Sequence, residues 1–486
     1  MGVADVQQLT GLDAAFLAME SRTTFGHVGS VQIVDPSTAP QPLTLDNFIQ
    51  VIESRLPLVP TLRRRLVEVP LGLDQPYWIE DPDFDIEFHV RELALPSPGN
   101  DRQLTEQVAR LHARPLDRTR PLWEMYLIFG LEGGRVAIYN KVHHAVIDGV
   151  SGNEILAALL DLSPDGRELP DFPPRALEQQ PSPVELVARG ALSLVGHPMR
   201  ALRLAAGLVR SAPLLVSANA PRLPLVNRFI DQDDDVILSQ PGLRAPDTPF
   251  NRPITQHRRW AFCEVPLSGA KKIKNAAGLT VNDVIMSLCA GALRRWLADH
   301  DALPDTPLIA GVPVSVRTED EKGAGGNRVS MMFAALPTHL DDPADRMRAV
   351  HEANRIAKEQ HHAIPASMLA DVVQFAAPAL AGQAWRLSAR LRLMERVIPF
   401  NLIISNVPGP NIPLYIAGAE LVAYYPLSAI VDGQGLNITV FSYRDSIFFG
   451  LLACRELVPD LDTMTRYIEE EFDVLTAAVD PEGDRA

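Results

Sequence analysis

His143-His144-Ala145-Val146-Ile147-Asp148-Gly149 carries the residues best placed to do chemistry. Two adjacent histidines are followed, after a fixed gap, by Asp-Gly. An imidazole has an ordinary pKa of about 6.5, so near neutrality it is mostly free to accept a proton. A hydroxyl held against His144 becomes a better nucleophile as that proton leaves. The pattern therefore points to acyl transfer by a general base, without a covalent enzyme intermediate. No G-x-S-x-G elbow is present, and Cys263, Cys289 and Cys454 lie in apolar stretches that suit packed thiols. A metal site is disfavoured. Adjacent histidines on a strand diverge, and no H-E-x-x-H or C-x-x-C lies nearby.

Val136, Ile138 and Val142 recur at period two before the motif, as in a strand. Alternation sends His143 and His144 to opposite sides. Asp148-Gly149 bends the chain. Ser151 to Glu154 has capping-box spacing and leads into Ile155, Leu156, Leu159 and Leu160 at helical spacing. Asp148 reads as structural, a carboxylate that pairs with an arginine to fix the loop.

Other segments extend this into an α/β chain. Val28 to Val34 suits a buried strand. Leu45 to Leu56 reads as a helix with Thr44 as N-cap. Leu104, Val108 and Leu111 mark another helix. Leu122 to Phe129 and Val136 to Val142 form a hairpin pattern. In the second half, strands are expected at Trp260 to Val265, Leu308 to Val316 and Arg328 to Leu336. Helices are expected at Val281 to Trp296 and Met347 to Glu359, and a hairpin at Asn437 to Ala453. Asn282-Asp283 alone suits a helix N-cap, and Pro121-Leu122-Trp123 alone suits core packing.

These segments fall into three regions: 1–165, carrying the histidine motif; 166–250, a linker; and 251–486. The linker begins Pro-rich and polar. Residues 183–228 then carry Arg189, Arg200, Arg203, Arg210, Arg222 and Arg228 against one acid, Glu185, among apolar residues. Such a segment suits a membrane or droplet surface, and equally a helical linker packed on its own protein. Arg63-Arg64-Arg65 and Arg258-Arg259 suit solvated faces better than contacts to phosphates.

At 486 residues the chain exceeds one ordinary core. It is 47% hydrophobic and 22% charged, as folded globular proteins are. A formal net charge of −15 argues against nucleic acid and general adhesion to anionic lipid, leaving room for a local patch. Three cysteines without paired spacing suit a reducing compartment. No secretory leader and no apolar run long enough to span a bilayer is read from the sequence.

The chain resembles the bacterial wax ester synthase/diacylglycerol acyltransferase family, within the chloramphenicol acetyltransferase-like superfamily that also holds peptide-synthetase condensation domains. The histidine motif marks the superfamily. Leu12 to Leu17, Gly26 to Gly29, Pro121 to Glu124, Thr280 to Val284, Val312 to Arg317, Gly326 to Ser330 and Ser405 to Pro410 carry the resemblance within it. It weakens over roughly 166–250. The resemblance implies two mixed sheets flanked by helices, with the active site in the cleft between the halves. It implies transfer of a fatty acyl group from acyl-coenzyme A to diacylglycerol, or to a long-chain alcohol to give a wax ester. His144 would be the base and His143 its neighbour, with Asp148, Gly149, Arg317, Asn282 and Asp283 supporting the site. Arg317 is the candidate partner of Asp148, and Pro121, Leu122 and Trp123 are candidates for substrate contact. No metal and no cofactor beyond the acyl-coenzyme A co-substrate is expected. The expected location is cytoplasmic, peripheral to the inner membrane face or lipid droplets. An enzyme of the same superfamily with another acceptor, or a non-catalytic lipid-droplet-binding protein, are the alternatives.

Overall fold

A computed structural model describes residues 7–70, 74–147, 152–172, 180–196, 245–315, 329–363 and 400–479. The apolar alternation seen in the sequence becomes two six-stranded mixed sheets and one small three-stranded sheet. Strands of the first half are β1 (Gln7–Gln8), β2 (His27–Asp35), β3 (Arg64–Val67), β4 (Tyr77–Glu80), β5 (Val90–Ala94), β6 (Trp123–Phe129) and β7 (Val136–His143). Those of the second half are β8 (Arg258–Pro266), β9 (Leu308–Ser315), β10 (Val329–Leu336), β11 (Leu402–Pro408), β12 (Tyr415–Ile416), β13 (Ala419–Leu427), β14 (Leu436–Tyr443) and β15 (Ser446–Cys454). The first large sheet runs β12-β13-β2-β7-β6-β5, the second β10-β9-β11-β14-β15-β8, and the small one β1-β4-β3.

The two halves are not separate in the sheets. β13, from the second half, pairs antiparallel with β2 of the first. No local signal announces this exchange, because any strand with one apolar face can pair with either sheet. β13 also lies close against β15. A Cβ on Gly450 would sit 1.8 Å from the Pro426 carbonyl oxygen, so only glycine allows that approach. Along β15, Phe448 and Leu452 join the core of the first half, while Phe449 and Leu451 join that of the second. A strand buried on both faces explains the nearly unbroken apolar run from Ile447 to Cys454.

Helices α1 (Gly11–Met19), α2 (Leu45–Arg55), α3 (Ile86–His89), α4 (Asp101–His112) and α5 (Gly152–Leu159) flank the first sheet, and α6 (Pro183–Gly196) opens the linker's helical segment. Thr44 caps α2 as expected, its hydroxyl accepting from the Asn47 N–H. Helices α7 (Leu267–Ala277), α8 (Val281–Asp299), α9 (Pro343–Ala363) and α10 (Leu461–Val479) belong to the second half. α8 is buried almost all round and forms its core. Among the described residues, no single helix is long and apolar enough to cross a membrane.

Two anchors hold the elements on either side of the histidine motif. β7 is paired along its length with β2 and β6. Just past α5, the buried Asp161 carboxylate takes Arg167 Nε at 2.9 Å and Arg55 Nη2. The Asp161 backbone exchanges both hydrogen bonds with Tyr415 of β12. The motif thus runs between a central strand and a helix tied to both halves.

Candidate active site

Alternation along β7 places Tyr139, Lys141 and His143 on a fully buried face, with Asn140 and Val142 on the other, partly open one. Lys141 and Tyr139 on the buried face find their partners internally. Lys141 Nζ lies 3.0 Å from Glu124 Oε2 and donates to the carbonyls of Leu111 and Arg114. The Tyr139 hydroxyl is 2.8 Å from His112 Nδ1, and His27 Nε2 donates to the His112 carbonyl at 2.7 Å. Burial pushes His112 down to about 3 and His27 well below its ordinary value, so both rings are neutral near pH 7.

His143 is 1% exposed. Its Nδ1 accepts from the Ala145 N–H at 3.1 Å, so a neutral ring carries its proton on Nε2. That nitrogen lies 3.2 Å from Glu20 Oε1. The same carboxylate takes the Gly26 N–H at 2.9 Å and Arg118 through Nε at 3.0 Å and Nη2 at 2.6 Å. Burial alone would raise the Glu20 pKa. The His143 ring, through contact and through its electrostatic pull, and then the Gly26 N–H and Arg118 outweigh it and hold the acid at about 2. Gly26 must be glycine: a Cβ there would lie 2.6 Å from His143 Nε2.

His144 follows the strand end and is half-buried. Its backbone N–H donates to the Gly26 carbonyl at 2.8 Å. Its ring stacks on Phe16 of α1, with centroids 4.0 Å apart and planes 18° from parallel. Nδ1 is shut away from solvent and has no hydrogen-bond partner in another of the described residues. Burial, and then the neighbouring His143, lower its pKa to about 4, against a weaker opposite pull from its own backbone. This ring is therefore a neutral imidazole at any physiological pH.

Glu20, Phe16, Arg118 and Gly26 thus complete the histidine environment. Phe16 and Gly26 lay in stretches that carried the family resemblance, with no role attached. Glu20 and Arg118 carried no signal, because no spacing rule connects them to residue 143. Asp148, Gly149 and Arg317 lie outside the described residues, and so does the expected Asp148–Arg317 pair.

Asn282 and Asp283 open α8 in the second half. Thr280 is the N-cap and Asp283 closes a capping box with it. The buried Asp283 carboxylate also takes His351 Nδ1 and Asn354 Nδ2 of α9, each at 2.8 Å. Asn282 Oδ1 accepts from Asn406 Nδ2 of β11 at 3.3 Å. Two separate blocks of the sequence meet there. No hydrogen bond between described residues joins this group to the histidine pair.

Pro121, Leu122 and Trp123 are buried. Trp123 Nε1 donates to the Leu62 carbonyl at 2.6 Å, and the indole stacks on His89 at 4.5 Å. Trp123→Phe removes that donor and some volume, so it is expected to cost about 1–2 kcal/mol of stability. Turnover per folded molecule should stay within about twofold. A thermal melt and an activity assay on one preparation check this; a large rise in KM at unchanged stability would assign the indole to substrate instead.

Of the basic clusters, Arg258 alone departs from the expected solvated face, while Arg63, Arg64 and Arg65 remain partly exposed. Arg63 pairs with Glu80 and Arg65 with Asp81. Arg258 is only 5% exposed and so is not on a solvated face. Its partners are backbone carbonyls, which hold the guanidinium inside. The start of the arginine-bearing segment packs on its own protein. Leu186 of α6 joins Val67, Val69, Tyr77 and Ile79 of the small sheet, and Arg65 Nη2 donates to Gln180 at 2.9 Å.

Comparison with known proteins adds the family. Residues 9–285 match the wax ester synthase/diacylglycerol acyltransferase catalytic domain, and 325–476 match the C-terminal domain of that family. A putative diacylglycerol O-acyltransferase of Mycobacterium tuberculosis is 37% identical over 95% of this chain and 88% of its own length. An O-acyltransferase WSD of Acinetobacter baylyi is 32% identical over 98% of both chains. The solved wax ester synthase/diacylglycerol acyltransferase of Marinobacter aquaeolei superposes with a TM-score of 0.68 at 31% identity, covering 97% of this chain and 99% of its own. The first condensation domain of the calcium-dependent antibiotic synthetase shares the fold alone, with a TM-score of 0.55 at 16% identity. With paired sheets around an intact histidine motif and matches over most of its length, the chain belongs to the wax ester synthase/diacylglycerol acyltransferase family of acyltransferases.

Proposed function

We propose that the protein transfers a fatty acyl group from acyl-coenzyme A to the hydroxyl of diacylglycerol, and to long-chain alcohols, with His144 as general base and no acyl-enzyme. One observation carries the reading: a neutral, half-buried imidazole stacked on Phe16, with Nδ1 shut in. The nitrogen left for substrate is Nε2, and the tautomer with the proton on Nδ1 leaves its lone pair free. Nε2 removes the proton from the alcohol as its oxygen attacks the thioester carbonyl. The imidazolium then returns that proton to the departing thiolate. His143, fixed by Glu20, holds the strand end. Asn282 Nδ2 remains available once Oδ1 accepts from Asn406, and it or a backbone N–H would meet the oxyanion. Asp148 and Arg317 are assigned as the pair that fixes the motif turn. Covalent catalysis by thiol is disfavoured by the burial of all three cysteines, which raises Cys289 to about 12.

The deciding assay gives purified protein labelled acyl-coenzyme A with diacylglycerol, a long-chain alcohol or water as acceptor. Labelled triacylglycerol or wax ester should form well above free fatty acid. Hydrolysis alone, or no product with either alcohol, overturns the reading.

The substrates are lipids, and we assign the protein to the cytoplasmic side, peripheral to the membrane or a lipid droplet. Among the described residues, Leu162, Phe172 and Val184 expose 70%, 37% and 79% of their surface in or beside the linker, and such side chains are the ones a lipid surface would take up. Purified protein should float with vesicles containing diacylglycerol, and Leu162→Asp with Val184→Asp should weaken flotation several-fold, since each buries a charge on contact. Equal flotation of that double variant would move the contact elsewhere.

A further inference from the structure

The segment Glu20–Gly26 joins α1 to β2 and touches both histidines. Glu20 meets His143, the Gly26 carbonyl takes the His144 N–H, and Gly26 itself packs on the His143 ring. Within the segment Ser21 forms a tight turn, its hydroxyl accepting from the N–H groups of Thr23 and Thr24. On its own half the segment is held by Arg118, which grips Glu20 and the Leu17 carbonyl.

From the second half, Arg258 at the start of β8 reaches the same segment. Nη2 donates to the Thr23 carbonyl, while Nη1 donates to the carbonyls of Thr255 at 2.6 Å and His257 at 3.2 Å. The guanidinium lies over the Phe25 ring, 5.1 Å from its centroid. Phe25 in turn stacks on His27, whose register partner across β2 and β7 is His143. Among the described residues no carboxylate pairs with Arg258. Burial lowers its pKa to about 10, so it remains a cation near neutrality. Its direct partners among the described residues are carbonyls and a ring face, with Asp432 and Glu456 lending a weaker pull from farther off. Burying such a charge is costly, and an apolar side chain would pack there without that cost. What arginine adds is the bond to Thr23 and the cation–π contact on Phe25.

We propose that Arg258 is a positioning residue through which the second half of the protein fixes the Glu20–Gly26 segment and, with it, His144. The proposal rests on His144 being the base of acyl transfer. It makes the active-site imidazole depend on the seating of the two halves against each other.

The test compares full-length wild type with Arg258→Met, Arg258→Lys, Phe25→Leu and His144→Ala. It measures kcat, KM for acyl-coenzyme A, the melting temperature and the NMR signal of the His144 ring, assigned by its loss in His144→Ala. Arg258→Met should lower kcat about tenfold with KM within about twofold, as expected for a misplaced reacting group. The His144 signal should shift. Arg258→Lys keeps the charge with fewer donors and should recover part of the rate. Wild-type kcat with an unmoved His144 signal in Arg258→Met overturns the proposal. So does a joint fall of kcat, affinity and melting temperature with that signal unmoved, which is a purely structural role. If Arg258→Met does not fold, Phe25→Leu decides: it deletes the ring face and leaves each hydrogen bond, and an unmoved signal with wild-type kcat again overturns it. Activity in His144→Ala would instead defeat the base assignment, while the ring signal still reports whether Arg258 positions His144.

Discussion

His144→Ala is expected to lower kcat for acyl transfer by at least about a hundredfold while the protein remains folded, the range in which a positioned general base contributes. The ring is half-buried and packs on Phe16, so its loss removes contact area without opening the core. Turnover within a few-fold of wild type in a folded variant would remove His144 from the mechanism. The pH profile gives a second handle. Only the neutral ring accepts a proton, so kcat/KM must fall as acid protonates it. Burial and His143 set that pKa at about 4, against 6.5 for the ordinary ring. The rate should therefore be flat from pH 6 upward, with its acid limb far below the usual histidine range. A midpoint near 6.5 would mean that the ring is solvated in the working enzyme.

The same depressed pKa carries a stability consequence of fixed sign. Above about pH 6.5 His144 is neutral folded and unfolded, and costs nothing. Between about 6.5 and 4 the unfolded chain takes up a proton that the folded protein refuses, so stability is lost as the pH falls through that window. His112, at about 3, acts in the same direction and further into acid. His144→Ala should therefore flatten the upper part of the acid-side loss of melting temperature.

Much of this site was legible before the fold. Period-two apolar spacing located β7, and alternation along it separates a buried His143 from a half-buried His144. The end of α2 was legible because Thr44 does the capping, whereas at α8 the cap is Thr280 and not the expected Asn282-Asp283, of which Asp283 closes the capping box from inside the helix. Contacts across distance in the chain were not. Glu20 reaches residue 143, Arg258 reaches residue 23, and β13 pairs with β2. None of these leaves a periodicity, since each depends on which apolar faces meet after collapse. Arg258 misled for a physical reason: an arginine in sequence implies solvent, but three backbone carbonyls and an aromatic face substitute for water around it.

Glu20→Ala should be the most damaging change outside the histidines. The carboxylate accepts from the Gly26 N–H and from Arg118 Nε and Nη2 and lies 3.2 Å from His143 Nε2, so its loss strands the Gly26 and Arg118 donors at once. Donors outweigh burial to hold Glu20 at about 2, against 4.5 for an ordinary glutamate. The difference corresponds to about 3 kcal/mol of stability, present in full above about pH 4.5 and lost as the pH falls toward 2. At neutral pH, Glu20→Ala should lower the melting temperature, because it leaves the Gly26 and Arg118 donors unpaired. It should also lower kcat by about ten- to a hundredfold, because the Gly26 carbonyl that takes the His144 N–H is no longer fixed. Glu20→Gln keeps the shape and one acceptor oxygen for Gly26 but gives up the charge facing Arg118, and should fall between the two. Melting curves with kcat and KM for acyl-coenzyme A on the three proteins decide the matter. If Glu20→Ala melts early but turns over normally, the carboxylate serves the fold alone, and the histidine pair is set by strand pairing and Phe16.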